Sequence, residues 1–283
     1  MKNMKIKYFF LILVLFANNA FSAESCFPEN HLRFSPYDKS TNGISHYSYQ
    51  ELQNQVLKAF EKTIKEKYRK VLIFEDSWDN DKVNAYSTRD LNNNPVIKIM
   101  GGMARHPELS KDGFLLIVCH ELGHYMGGAP KALRGNSEKL SWSSIEGQSD
   151  YFATSKCLPR IFKNHIENRE IIKSAPSKNL RKAQARCGLE DALCIRVAMA
   201  ALSVSKVFHS LREFETYPDL EKIDQSVAYV MEYGHPSPQC RLDTFLNGIN
   251  CKDKHQIMFD NKNPTIGSCV TKNAERPRCW YRP

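Results

Sequence analysis

Several things are missing from this 283-residue chain, and each absence narrows its class. No block of like charges occurs, so the formal net charge of +9 is spread along the chain and reads as a solvated surface, with no nucleic-acid partner expected. No self-similarity at a period of about 20–50 residues is present, which argues against solenoids and propellers. No low-complexity linker forces a domain boundary, and no CxxC pair offers a cysteine zinc site. Past the N-terminal stretch, no segment reads as a membrane-spanning helix. What is plentiful, 42% hydrophobic and 11% aromatic residues, is ample for a buried core.

The N-terminus opens with Lys2, Lys5 and Lys7, and Tyr8 to Ala17 is almost wholly apolar. These are the basic and apolar regions of a secretory signal peptide, with Ala20, Ser22 and Ala23 as small residues near a cleavage point. An uncleaved N-terminal anchor is the alternative. Ala23-Glu-Ser-Cys26 carries an acid where a lipid-modified cysteine needs a small apolar approach, so no lipid anchor is expected. Loss of residues 1–22 removes three lysines and no acid, which lowers the charge from +9 to +6. The remainder reads as one domain over residues 23–250 with an irregular, cysteine-containing tail over 251–283, and no stable membrane insertion is expected once the signal is gone. Nothing in the sequence sets an oligomeric state.

Export to a periplasmic or extracellular compartment makes disulfides the default state of the nine cysteines. Nine is odd, and Cys119, inside the apolar run Phe114-Leu-Leu-Ile-Val-Cys119, is the expected free thiol. The other eight can pair in on the order of a hundred ways. Three short loops suggest themselves, Cys187 with Cys194, Cys240 with Cys251 and Cys269 with Cys279, which leaves Cys26 for Cys157.

Patterning along the chain indicates an α+β fold. Ser48-Tyr-Gln-Glu51 reads as a capping box before a helix over 48–68, with Tyr49, Leu52, Val56, Phe60 and Ile64 on one face. Val71 to Phe74, Lys82 to Tyr86 and Pro95 to Met100 are β-branched or aromatic runs and read as strands of a small sheet. Ser110 can cap a helix carrying Phe114 to Met126 that stops at Gly127-Gly128. A polar loop leads to a second helix from Ser143 or Ser144 to Leu158, closed by Pro159. Beyond it the chain is mostly helical, over Ala192 to Leu211 and Leu220 to Tyr233, and irregular after Cys251.

The chemistry concentrates in His120-Glu-Leu-Gly-His124. Four residues is close to one helical turn, so both imidazoles leave one face and can bind one zinc ion, with Glu121 beside them to act on the metal's water. A catalytic zinc needs a third protein ligand. Glu146 lies on the next expected helix, with Asp150 one turn further along the same face. Glu146 as ligand and Asp150 as acceptor for the outer N–H of a ligand histidine, His120 foremost, is the natural geometry. The plainer alternatives are two ordinary helix histidines and two solvated acids near a helix N-terminus.

At this point the chain resembles the HtpX-like and CAAX-prenyl-protease-like zinc metallopeptidases of the gluzincin type, which include mitochondrial Oma-type and periplasmic BepA-type enzymes. Besides HELGH, Val83-Asn-Ala-Tyr86 and Val96-Ile-Lys-Ile-Met-Gly-Gly102 are similar to that family's Asn-Ala strand and substrate-binding edge strand. Glu146-Gly-Gln-Ser-Asp150 is similar to its ExxxD helix, and Gly234-His-Pro-Ser-Pro-Gln-Cys-Arg241 to its HPxxxxR segment. The resemblance implies a zincin-like domain in which an active-site edge strand packs on the HExxH and ExxxD helices. It implies one zinc per chain on His120, His124 and Glu146, Glu121 as base, His235 facing the reaction centre to donate to an oxyanion, and Arg241 orienting the acids. The family's membrane spans and helical repeats are missing, so cleavage of membrane proteins or prenylated tails is not implied. His31, His46, His106, His165, His209 and His255 match no motif, and ordinary surface or core roles are expected of them.

The expectation is an exported zinc endopeptidase acting on a protein or peptide substrate held in extended form along the edge strand at Val96 to Met100. A noncatalytic zinc-stabilised chaperone or scaffold is the competing class. Retention of Glu121 disfavours it, since a structural site prefers four protein ligands and needs no base. A zinc hydrolase acting on a nonpeptide substrate is a third.

Overall fold

A computed structural model describes residues 24–25, 27–38, 42–135, 137–163, 165–173, 177–211 and 217–283. The expected signal peptide and Cys26 lie outside the described residues. The chain is mixed α+β. In order come β1 (Glu24–Ser25), α1 (His46–Thr63, prolonged by a π turn at Ile64–Tyr68), β2 (Ile73–Glu75), β3 (Ala85–Arg89), β4 (Pro95–Ile99) and the short α2 (Gly101–Ala104). Then follow α3 (Lys111–Met126), the strands β5 (Lys131–Leu133) and β6 (Leu140–Ser144), and α4 (Glu146–Phe152), which runs through a π turn at Ala153–Cys157 into α5 (Leu158–Phe162). The rest is α6 (Glu167–Lys173), α7 (Lys178–Cys187), α8 (Ala192–Leu211) and α9 (Pro238–Asn250).

The capping box of α1 sits one turn earlier than expected. Ser45 Oγ accepts from Ser48 N at 3.2 Å and Ser48 Oγ accepts from Ser45 N at 2.8 Å, so Ser48 is the inner partner of the box and not the cap itself. The apolar stripe was read in register: Tyr49, Leu52, Val56, Phe60 and Ile64 are all buried.

The main sheet has the order β1-β3-β4-β2, and this overturns the edge-strand expectation. β4 is internal, antiparallel to β3 from Ala85↔Ile99 to Arg89↔Pro95 and parallel to β2 from Ile73↔Val96 to Glu75↔Lys98. Alternation along Pro95 to Ile99 tells which side chains face the core but not how many neighbours a strand has. A substrate backbone therefore has no free edge at Val96 to Lys98.

Helix α3 is the centre of the molecule. Ser110 accepts from Gly113 N at 3.0 Å, Asp112 in the first turn suits the helix dipole, and almost every residue from Gly113 to Met126 is buried. A helix apolar all round has neighbours all round: α1, α4, α8, β3, β4 and β6 all pack against it. Arg196 of α8, itself buried, grips Asp112 with Nε and Nη2 at 2.7 and 2.8 Å and fixes the start of α3. By length and composition α8 could span a membrane, but 67% of its apolar stretch is buried inside the protein, as in a core helix.

Three further expectations are corrected. The polar loop expected around Gly135 and Ser137 is the connection of a hairpin, Lys131↔Ser144 and Leu133↔Leu140, so Ser143 and Ser144 end a strand and do not cap a helix. The helical path does not close at Pro159, which lies in the first turn of α5, where a missing N–H costs nothing. Leu220 to Tyr233 is not helical: Ala228 N donates to Arg278 O at 2.8 Å and Glu232 N to Trp280 O at 3.0 Å, so tertiary pairing with the tail overrides local pattern. The tail after Cys251 is irregular apart from a short 3-10 turn at Lys252–Lys254, as expected.

The cysteines pair as Cys119–Cys157, Cys187–Cys194, Cys240–Cys279 and Cys251–Cys269. Only the Cys187–Cys194 loop was anticipated, and Cys119 is not the free thiol. Cys119 does lie in buried apolar surroundings, yet those surroundings include the π turn behind α4, which presents Cys157 to it. That bridge closes a sequence separation of 38 residues. Replacing Cys119 and Cys157 together by alanine is expected to cost on the order of 3 kcal/mol, since a loop of that size loses its restraint in the unfolded chain. Guanidinium unfolding measures it, and a loss below about 1 kcal/mol would speak against the bridge.

Candidate metal centre

His120 and His124 project from one face of α3 toward the start of α4, where Glu146 is the first residue. The two helices approach closely because position 123 is glycine. A Cβ there would stand 2.8 Å from Ser149 O and 2.9 Å from Ser149 Cα, so any larger residue within HELGH would push α4, and Glu146 with it, away from the histidines. The Glu146 carboxylate spans both rings, with Oε2 3.3 Å from His120 Nε2 and Oε1 3.4 Å from His124 Nε2. The three candidate ligand atoms lie within 4.8 Å of one another.

These spacings suit a small tetrahedral ion. Bonds of about 2.0–2.2 Å at tetrahedral angles separate neighbouring ligand atoms by about 3.3–3.6 Å. Two imidazole nitrogens and one carboxylate are also the donor set of a three-ligand site with an open position. The residues fit zinc.

Outer hydrogen bonds set both tautomers. His120 Nδ1 donates to Asp150 Oδ1 at 2.6 Å, and His124 Nδ1 donates to Ser144 O at 2.9 Å, with the Ser143 and Ser149 hydroxyls each at 3.1 Å. With the proton on Nδ1, each ring presents its Nε2 lone pair to the site. Burial pushes the His124 pKa down to about 4, so it is a neutral imidazole at neutral pH, the form that binds metal. Burial would raise the Glu146 pKa, but the positive charge of His124 and His120 when they are protonated, with a hydrogen bond from His120, outweighs it and lowers the carboxylate below its usual range.

Arg241 of α9 underpins the acids. Its Nε and Nη2 meet Asp150 Oδ2 and Oδ1, both at 2.7 Å, and Nη1 lies 3.4 Å from Glu146 Oε2. The guanidinium also sits 3.7 Å from the centre of the Phe208 ring, which fixes its plane. His235 also reaches the carboxylate, with Nε2 3.8 Å from Glu146 Oε1. At 25% exposure it marks the open side of the centre, since the side chains of His120, His124, Asp150 and Arg241 are at most 2% exposed. Glu121 is fully buried on α3 beside His120.

The structure thus brings His120, His124, Glu146, Asp150, His235 and Arg241 together. Ser143, Ser144 and Ser149 were missed as the surroundings of His124. Its firmest partner is a backbone carbonyl, which no side-chain pattern reveals, and only the serine-rich run Ser141 to Ser144 with Ser149 hinted at a polar lining. Among the unassigned histidines, His106 is a buried structural residue, with Nε2 2.9 Å from Ser210 Oγ and Nδ1 accepting from Glu108 N at 3.2 Å.

Comparison of the chain with protein-family models, curated proteins and solved structures returns no match to any of them. The centre is therefore read from its own geometry.

Proposed function

We infer that the protein is an exported zinc-dependent endopeptidase with one zinc per chain, on a zincin-like domain akin to the HtpX-like metallopeptidases. The observation that carries this reading is the meeting of His120, His124 and Glu146 at ligand spacing, each outer ring nitrogen already engaged by an acceptor. Four disulfides are compatible with an oxidising exported setting.

When bound, the zinc supplies a Lewis acid for the scissile carbonyl and a lowered pKa for a water. Glu121 takes the proton from the attacking water and returns it to the leaving amine. His235, on the open side, donates a hydrogen bond to the oxyanion that develops on the substrate carbonyl. Arg241 and Asp150 hold His120 and Glu146 in place, and Ser144 holds His124. The substrate is a protein or peptide chain in extended form, bound elsewhere than along β4.

In the purified mature protein, elemental analysis should find one zinc per chain, and alanine at His120, His124 or Glu146 should remove most of it. A peptide library derived from denatured protein should be cleaved by the wild type and by none of the three variants. Full zinc in all three variants would sink the ligand assignment, and a zinc-loaded wild type that cleaves nothing would favour the scaffold reading.

A further inference from the structure

One face of the helix that carries Glu146 and Asp150 looks toward the histidines, and the irregular tail wraps its other side. Gly147 lies under Trp280, whose indole is fully buried and so close that a Cβ on Gly147 would stand 2.3 Å from the ring. Gln148 Oε1 accepts from Arg276 Nη1 at 3.1 Å, and the same guanidinium donates to Ala129 O at 3.4 Å and Pro264 O at 2.6 Å. One turn on, Tyr151 donates from its hydroxyl to Ala274 O at 2.5 Å and accepts from Cys269 N at 3.3 Å. At the π turn, the buried Lys156 Nζ donates to Lys254 O and Gly267 O at 2.6 and 2.7 Å.

These contacts run in step along the helix and leave α4 almost no freedom to shift. They also reach α9, the helix that bears Arg241. Trp280 Nε1 donates to Thr244 Oγ1 at 2.9 Å, and Cys279 is bridged to Cys240, one residue before Arg241. Trp280 thus touches both helices that supply the acids and the arginine of the centre.

We propose that residues 251–283 form a positioning strap for the metal centre, in which Trp280 and Arg276 set the placement of Glu146 and so the affinity of the site for its ion. The inference rests on the metal-centre reading above. Glu146 is the first residue of α4 and Ile145 contributes no side-chain cap, so its position depends on how α4 is packed, by α3 and α9 on the side of the centre and by Trp280 and Arg276 on the other. A small displacement of α4 moves a ligand carboxylate that has to satisfy two imidazoles at once. Groups that orient ligands in this way typically change metal affinity by about 10–100-fold when disturbed.

Gly147→Ala wedges α4 away from Trp280 without touching any ligand, and Trp280→Leu in the same chain restores the space. Zinc affinity is read by competition with a chromophoric chelator, and folding by thermal unfolding of the zinc-free protein. The expected result is a roughly 10–100-fold weaker zinc affinity in Gly147→Ala, with most of the loss recovered in Gly147→Ala/Trp280→Leu. Arg276→Lys, which keeps the charge and loses the fork, should weaken zinc binding in the same direction and provides a second reading if Gly147→Ala does not fold. Wild-type zinc affinity in the variants that fold, even with a lowered melting temperature, would overturn the strap and leave the tail a stabilising element only. Absence of zinc binding by the wild type itself would overturn the metal centre, and the strap with it.

Discussion

Glu121→Gln is expected to lower peptide cleavage by about 10²–10⁴-fold while leaving one zinc per chain and the melting temperature close to wild type. Glutamine keeps the length and polarity of the side chain, so the fully buried position beside His120 is still filled. What it loses is the ability to take a proton. The proposed ligands His120, His124 and Glu146 are untouched, so metal content separates this variant from the ligand variants. A purified Glu121→Gln protein cleaving the same peptides at wild-type rate would remove Glu121 from the mechanism and leave the scaffold or a different hydrolase as the reading.

Arg241→Ala should have the largest effect on stability, about 3–5 kcal/mol in guanidinium unfolding, together with a loss of zinc affinity. Arg241 is 1% exposed and forms both hydrogen bonds of a fork to Asp150, whose carboxylate is wholly buried. Removing it leaves that carboxylate with His120 as its main partner and a void over Phe208. Removing one member of a buried pair costs far more than the pair is worth, because the remaining charge stays out of water. Arg241→Lys, with one charge and no fork, should fall between the two. A cost under about 1 kcal/mol for Arg241→Ala would show that Asp150 does not depend on the arginine.

The parts of the fold that could be read in the sequence are those decided within a few residues. Ser110 as cap, the all-apolar run that makes α3 central, and the one-turn spacing of His120 and His124 are local facts, and they appear in the structure where the sequence put them. Glu146 and Asp150 were legible because they lie one turn apart on one helix face, although the start of that helix was misplaced by the serines of β6. Arg241 and His235 came only through a resemblance, since nothing in their own surroundings says that α9 and the segment before it reach the centre.

Long-range partnership was not legible. β4 has a strand on each side, and its pattern of buried and half-buried residues would be the same with one. Cysteine pairing followed loop length correctly only for Cys187–Cys194, where chain proximity decides; Cys119, Cys240 and Cys251 meet partners that packing alone brings near. The segment Leu220 to Tyr233, expected to be helical, is not. Its backbone instead donates to the tail, whose position no local pattern reports.

Arg241 lies 121 residues beyond His120 and 91 beyond Asp150, and it touches both. Contacts of that span repay the entropy of closing the chain only after the elements between them are in place. The fork onto Asp150 therefore needs α9 seated against α4. In the proposed metal centre, a fragment ending before α9 would carry His120, His124 and Glu146 but lack the guanidinium that grips Asp150 and borders Glu146.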